Sequence, residues 1–180
     1  MENFKKNLEL LTKNHVYSKE MEHDACGVGL IASTEGKKSR AIVEYGIEAL
    51  KAVWHRGAVD ADGKTGDGAG IHLEIPKDFF IEKIQVTGHD YDNSEICVGM
   101  IFLPRNDYSA QESCKTIVES ELTKNNFSIY GWRQVPVNPK VLGEKALQTM
   151  PEIIQVLFKS NDPNLLDKKL ERKIYETRKR

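Results

Sequence analysis

Apolar residues recur along the chain at two spacings, and these mark out the elements. Val28, Leu30 and Ala32 alternate with Gly27, Gly29 and Ile31. Residues 26–33 therefore read as a strand with small or apolar residues on both faces. A turn over 35–38 follows, and Ser39 is placed as an N-cap. The helix from there to Trp54 carries Val43, Ile47, Leu50 and Trp54 on one stripe. Residues 55–70 form a long polar loop with five glycines. Strand alternation returns over 71–75, ended by Pro76. A short helix covers 78–84, and a buried strand covers 96–103, ended by Pro104.

Asp107 caps a helix running to about Lys124, with Ala110, Cys114, Ile117, Val118 and Leu122 on its apolar face. A strand over 127–137 is closed by Pro136 and Pro139; a short helix over 143–148 and a strand over 152–158 come next. Asp162 opens a last helix striped by Leu166, Leu170 and Ile174. Ahead of all this, residues 1–25 are polar, with one helical stretch over 3–11. There is no internal repeat. Strands that alternate loosely with helices predict a layered α/β or α+β domain.

Composition narrows the class. The chain has 180 residues, 39% hydrophobic and 29% charged, with a formal net charge of -1. That suits one globular domain with a real core. It gives no global field to draw in nucleic acid or a membrane surface. The longest apolar run, 96–103, is too short to span a bilayer. Residues 1–25 mix five acids with four lysines and lack an apolar core segment, so they are not a secretory signal. They read instead as a propeptide. The three cysteines, at 26, 97 and 114, show no zinc or redox spacing, and a reducing, cytoplasmic setting is expected.

The chemistry centres on Cys26. A free cysteine is most often a small buried hydrophobe. This one opens the first apolar stretch, directly after the polar leader. Removal of the leader would place an α-amine beside its thiol. Such an amine titrates near neutrality, so it can take the thiol proton and return it to a leaving amine. The neighbouring glycines, Gly27 first, would let a substrate approach the backbone. Cys97, inside an apolar run, and Cys114, on a helix stripe, read as core residues.

The segment from Gly57 to Thr65 has the look of a phosphate-binding loop, but five residues separate Gly57 from Gly63 where the motif needs about four. A calcium loop fails because Lys64 stands where an oxygen ligand belongs. What remains is a flexible glycine loop with Asp60, Asp62 and Asp67, either a solvated connection or a wall beside a site. Arg56 either pairs with a carboxylate or completes the preceding helix dipole. The five histidines have no metal-ligand spacing. The basic residues after Lys168 fit a solvated helix face.

Several of these segments together resemble one family. Glu22-His23-Asp24-Ala25-Cys26-Gly27-Val28-Gly29, His55-Arg56-Gly57-Ala58 and Asp62-Gly63-Lys64-Thr65-Gly66-Asp67-Gly68 are similar, in order and spacing, to the start of glutamate synthase large subunits. So are Gly131-Trp132-Arg133-Gln134-Val135-Pro136-Val137 and Glu171-Arg172-Lys173-Ile174-Tyr175. The likeness runs from about residue 20 to residue 180.

The resemblance implies a class II glutamine amidotransferase with an N-terminal nucleophile hydrolase fold. That fold is α+β, a four-layer αββα sandwich, incomplete in this chain. It implies cleavage before Cys26, so that residues 1–25 are a leader and 26–180 the first part of the amidotransferase domain. Cys26 would attack the glutamine side-chain amide and form a thioester. Gly27, Arg56, Gly57 and Asp67 would line or support the pocket, and the loop over 63–70 would border it.

No cofactor or metal is implied for this segment. The flavin (FMN) and the iron–sulfur cluster of the family lie elsewhere, as do a carboxylate-binding arginine and an Asn-Gly oxyanion pair, a dipeptide this sequence lacks. Implied partners are the remainder of a glutamate synthase chain and a small electron-transfer subunit or ferredoxin. The competing expectation is a catalytically silent fragment that only binds a partner through an open sheet edge.

Overall fold

The structure, a computed structural model, describes residues 2–13, 27–54 and 57–179. The chain divides into two units at the boundary between residues 56 and 57.

In the first unit, helix α1 spans Glu2–Lys13 and helix α2 spans Arg40–Ala52. Ser39 stands at the N-cap of α2 with extended backbone, but its side chain makes no capping bond. The expected stripe on α2 is half-buried at Val43, Ile47 and Leu50, while Trp54 is exposed. A turn closes with the Gly36 amide donating to the Ser33 carbonyl at 3.2 Å. The strand expected over 26–33 does not form among its described residues: 27–33 are irregular, and Val28 and Leu30 are 95% and 89% exposed. A strand exists only when a second strand takes up its N–H and C=O groups. Here the alternation is present, and among the described residues no ladder partner is.

The second unit is built on a three-stranded antiparallel sheet in the order β1-β3-β2. Its strands are β1 (Cys97–Leu103), β2 (Phe127–Gln134) and β3 (Glu152–Ser160). Cys97 faces Phe158 at one end of the β1–β3 ladder and Leu103 faces Glu152 at the other. Phe127 faces Ser160 in the β2–β3 ladder, whose register shifts between Ile129 and Gly131. At that bulge Gly131 adopts φ of 146°, and a Cβ there would lie 2.8 Å from Thr87 Cγ2, so both backbone and space call for glycine.

As the central strand, β3 is buried without a break from Ile154 to Phe158, as a strand covered on both faces must be. On one face Val156 and Phe158 pack with Cys97 and Phe127 against Leu122 and Leu170. Those leucines come from helices α4 (Tyr108–Lys124) and α6 (Asp167–Arg178). Phe127 meets Phe158 edge to face at 5.3 Å. On the other face Leu157 and Tyr130 pack with Ile96 against Phe80 and Ile84 of helix α3 (Lys77–Val86). Beyond that cover, Met100 and Phe102 on the same face are 49% and 64% exposed.

Asp107 caps α4 as expected, accepting from the Ala110 amide at 2.9 Å. Ile117, expected in the α4 stripe, is 63% exposed. Gln111 occupies the buried position instead, and its Nε2 donates to the carbonyls of Pro104 and Arg105 at 2.7 and 3.2 Å. Strand β2 stops at Gln134, short of 137, because Pro136 has no N–H for the ladder. Helix α6 opens at Asp167 rather than at Asp162. The Asp162 side chain is spent on the Asn164 amide at 2.9 Å in a preceding turn. The second expected strand, over 71–75, also lacks a ladder: Ile71 and Leu73 are exposed, and only Ile75 packs against the α3 cluster. A short helix α5 spans Glu144–Thr149, after a single turn of 3-10 helix at Pro139–Val141.

The architecture is thus mixed α and β around one small antiparallel sheet. Among the described residues, no helix is long and apolar enough to cross a membrane.

Candidate active site

Of the residues singled out for chemistry, Cys26 and Arg56 lie outside the described residues. Gly27 is exposed, and nothing lies within 4 Å of the position a Cβ would take there. Gly57 is exposed at the start of the glycine loop.

That loop departs from the flexible connection expected. Residues 57–67 form a small cross-bonded hairpin. Val59 and Gly66 make an antiparallel bridge, and the Asp60 amide donates to the Thr65 carbonyl at 2.7 Å. Gly63, at φ of 67°, turns the tip, donating to the Asp60 carbonyl at 2.9 Å. Asp67 ties the base: its Oδ2 accepts from the Ala58 amide at 2.9 Å, and its own amide donates to the Ala58 carbonyl at 3.2 Å.

The tip is held by Asp62. Its Oδ1 accepts from the amides of Lys64 and Thr65 at 2.9 and 2.7 Å, and its Oδ2 from the Thr65 hydroxyl at 2.6 Å. The Glu144 amide, at the start of α5, adds to the same carboxylate. These bonds, the Thr65 hydroxyl first, hold the Asp62 carboxyl down to a pKa of about 2. Asp60 Oδ2 pairs with Lys145 Nζ of α5 at 2.6 Å.

Sequence reasoning missed Gly143 and Lys145. Lys145 lies 85 residues from its partner Asp60, and no local pattern signals so distant a pairing. The available signal was weak: a glycine at the N-cap of a short helix that lacks Ser, Thr, Asp or Asn there. The cap comes from Asp62 instead.

The other cysteines are placed. Cys97 is buried, and burial, reinforced by the charges of Glu95 and Glu171, pushes its thiol up to about 12. Such a thiol is neutral at any ordinary pH and is not a nucleophile. Cys114 is half-buried on α4. A separate polar knot joins Asp92, Tyr130 and Lys159. The Tyr130 hydroxyl donates to Asp92 Oδ1 at 2.9 Å, and Lys159 pairs with Oδ2. Lys159, then Ser94, hold the Asp92 carboxyl far below the usual carboxylate range. Burial, then Asp92, push the Tyr130 hydroxyl up. This knot fastens β2 and β3 to the 92–94 turn.

The family pattern of the class-II glutamine amidotransferases matches residues 26–180. The chain belongs to that family. Among relatives, it is 52% identical over 177 residues to the glutamate synthase [NADPH] large chain of Azospirillum brasilense, covering 98% of this chain and 12% of that one. It is 40% identical over 172 residues to the ferredoxin-dependent glutamate synthase of Pyropia yezoensis, covering 95% and 11%. It is 36% identical over 177 residues to the glutamate synthase [NADH] of Saccharomyces cerevisiae, covering 93% and 8%. The chain thus spans about an eighth or less of the length of these relatives. Class II glutamine amidotransferases are enzymes, so the chain belongs to an enzyme family.

Proposed function

We propose that this chain is the glutaminase portion of a glutamate synthase. One observation carries it: 98% of the chain aligns at 52% identity with a glutamate synthase large chain. In this reading residues 1–25 are a leader, removed so that Cys26 becomes N-terminal, and residues 26–180 belong to the amidotransferase domain. The α-amine takes the thiol proton, and sulfur attacks the glutamine side-chain carbonyl. The amide nitrogen leaves as ammonia, carrying the returned proton. Water then cleaves the thioester, releasing glutamate and restoring the thiol. By resemblance to the family, Gly27, Arg56, Gly57 and Asp67 are the residues assigned to line or support the pocket, and the loop over 63–70 to border it.

The ammonia is supplied to the remainder of a glutamate synthase polypeptide for reductive glutamate formation from 2-oxoglutarate. The electrons come from a reduced nicotinamide through a small subunit, or from ferredoxin, in a cytoplasmic setting. Flavin and cluster chemistry belong to that remainder. An iron–sulfur cluster takes about four thiolates, and this sequence has three cysteines, of which Cys97 is sealed in the core. The finer fold is the four-layer sandwich. What supports it is that α4 and α6 cover one face of the sheet, while on the other face Met100 and Phe102 stay exposed beyond the cover of α3.

The test is twofold. The protein made in its own cell should have an intact mass that begins at Cys26, and it should hydrolyse glutamine. Cys26→Ala should abolish the hydrolysis while leaving the mass of the folded protein otherwise unchanged. Glutamine hydrolysis that survives Cys26→Ala would sink the proposal.

A further inference from the structure

We propose that Gly143 is a positioning residue for glutamine binding, because the start of α5 is the seat on which the tip of the 57–67 hairpin is fastened. The proposal deepens the glutaminase reading and rests on its placing this loop beside the pocket.

Two independent ties converge on α5. Asp62 collects the Lys64 and Thr65 amides and the Thr65 hydroxyl, and it also receives the Glu144 amide. Asp60 reaches Lys145 one residue further on. Gly143 makes the approach possible. A Cβ there would meet Asp62 Oδ2 and Thr65 Oγ1, and would lie 2.5 Å from the Thr65 backbone nitrogen. A side chain can rotate away from a methyl group, but the backbone nitrogen moves only if the loop moves. The hairpin would then shift as a body, because its two arms are bonded by the Val59–Gly66 bridge and the Asp60–Thr65 bond. The Asp67–Ala58 tie at its base carries the shift toward Gly57 on one arm and toward 68–70 on the other.

In chain order α5 lies in the connection between β2 and β3. A loop displaced from the pocket wall weakens substrate binding in ground and transition states alike, which raises KM more than it lowers kcat.

The experiment changes the gene and purifies the protein from its own cell. Gly143→Ala should raise the KM for glutamine by about tenfold, the scale of a wall moved by a fraction of an ångström, with kcat altered by less than about twofold. Hydrogen exchange at the Thr65 and Lys64 amides should speed up in the same variant. Thr65→Val removes the hydroxyl tie without touching α5 and should change KM in the same direction. Thr65→Ser keeps the hydroxyl and should restore wild-type KM. If Gly143→Ala does not fold, the Thr65 pair carries the test alone.

Faster exchange with an unchanged KM would overturn the positioning role while leaving the glutaminase reading intact. Unchanged exchange would overturn the tie itself. A wild-type protein that hydrolyses no glutamine would overturn the glutaminase reading and the proposal with it, and exchange would still report separately whether the tie exists.

Discussion

Two apolar stretches of this chain have met different fates. β3 and residues 27–33 both read as strands from their side chains. β3 lies between β1 and β2, its backbone groups are taken up on both edges, and Leu157 is fully buried. Residues 27–33 have no ladder among the described residues, and their Val28 and Leu30 are exposed. Hydrophobic alternation nominates a strand, but a partner is what makes one. The difference bears on function. The part of the chain that holds itself together is the sheet with α3, α4 and α6. The stretch that follows the proposed nucleophile draws no such support from the described residues.

The contrast is broken or sharpened most strongly by truncating one leucine in each stretch. Leu157→Ala leaves a cavity where β3 is covered on both faces. It should cost about 2–5 kcal/mol of stability in chemical denaturation. Leu30→Ala removes a side chain already 89% exposed. It should change stability by no more than about 0.5 kcal/mol. Comparable losses at the two sites would mean that residues 27–33 are packed in solution, and the contrast would be gone.

The same contrast explains how far the sequence could be followed. All three strands of the sheet were legible, as were α3, α4 and the Asp107 cap, because each has a local cause: an apolar run, a helical stripe or a capping side chain. The alternation over 27–33 and 71–75 meets no ladder among the described residues, since periodicity carries no information about whether a partner edge is present. The end of β2 at Gln134 follows from Pro136 and could have been read more strictly. In the candidate site, the glycine loop was visible but its order was not. Its tip is fixed by Asp62 on Gly143 and by Asp60 on Lys145, contacts between residues far apart in the chain. Cys26 was nominated as the nucleophile by the polar stretch before it and the small residues after it, and it lies outside the described residues.

The hairpin is a third case beside β3 and residues 27–33: ordered without a core, by polar bonds alone. Its tip should therefore respond to acid through Asp62. Asp62 has its carboxyl held at about 2, below the ordinary value of 3.8, chiefly by the Thr65 hydroxyl and the Lys64 and Thr65 amides. A lowered carboxyl contributes its anchoring in full above the ordinary value and loses it as pH falls through the lowered one. The tip should be fastened above about pH 4 and released toward pH 2. Carbon-detected titration of the Asp62 carboxyl, followed alongside the Thr65 amide, should show both changing in that window. A midpoint at 3.8 would mean that the three bonds are not kept in solution.

The smallest effect separates fastening from stability. Lys145 and Asp60 are a partly exposed pair, their side chains 66% and 34% accessible. Such pairs contribute roughly 0–1 kcal/mol. Lys145→Ala should accordingly leave the denaturation midpoint almost where it was, unlike Leu157→Ala. It should still speed hydrogen exchange at the hairpin tip, because Asp62 alone would then hold the loop to α5. A shift in midpoint approaching that of Leu157→Ala would place the pair within the cooperative core. A silent midpoint with faster exchange at the tip would show that the hairpin is held by a separate polar latch, which can loosen while the sheet stays intact.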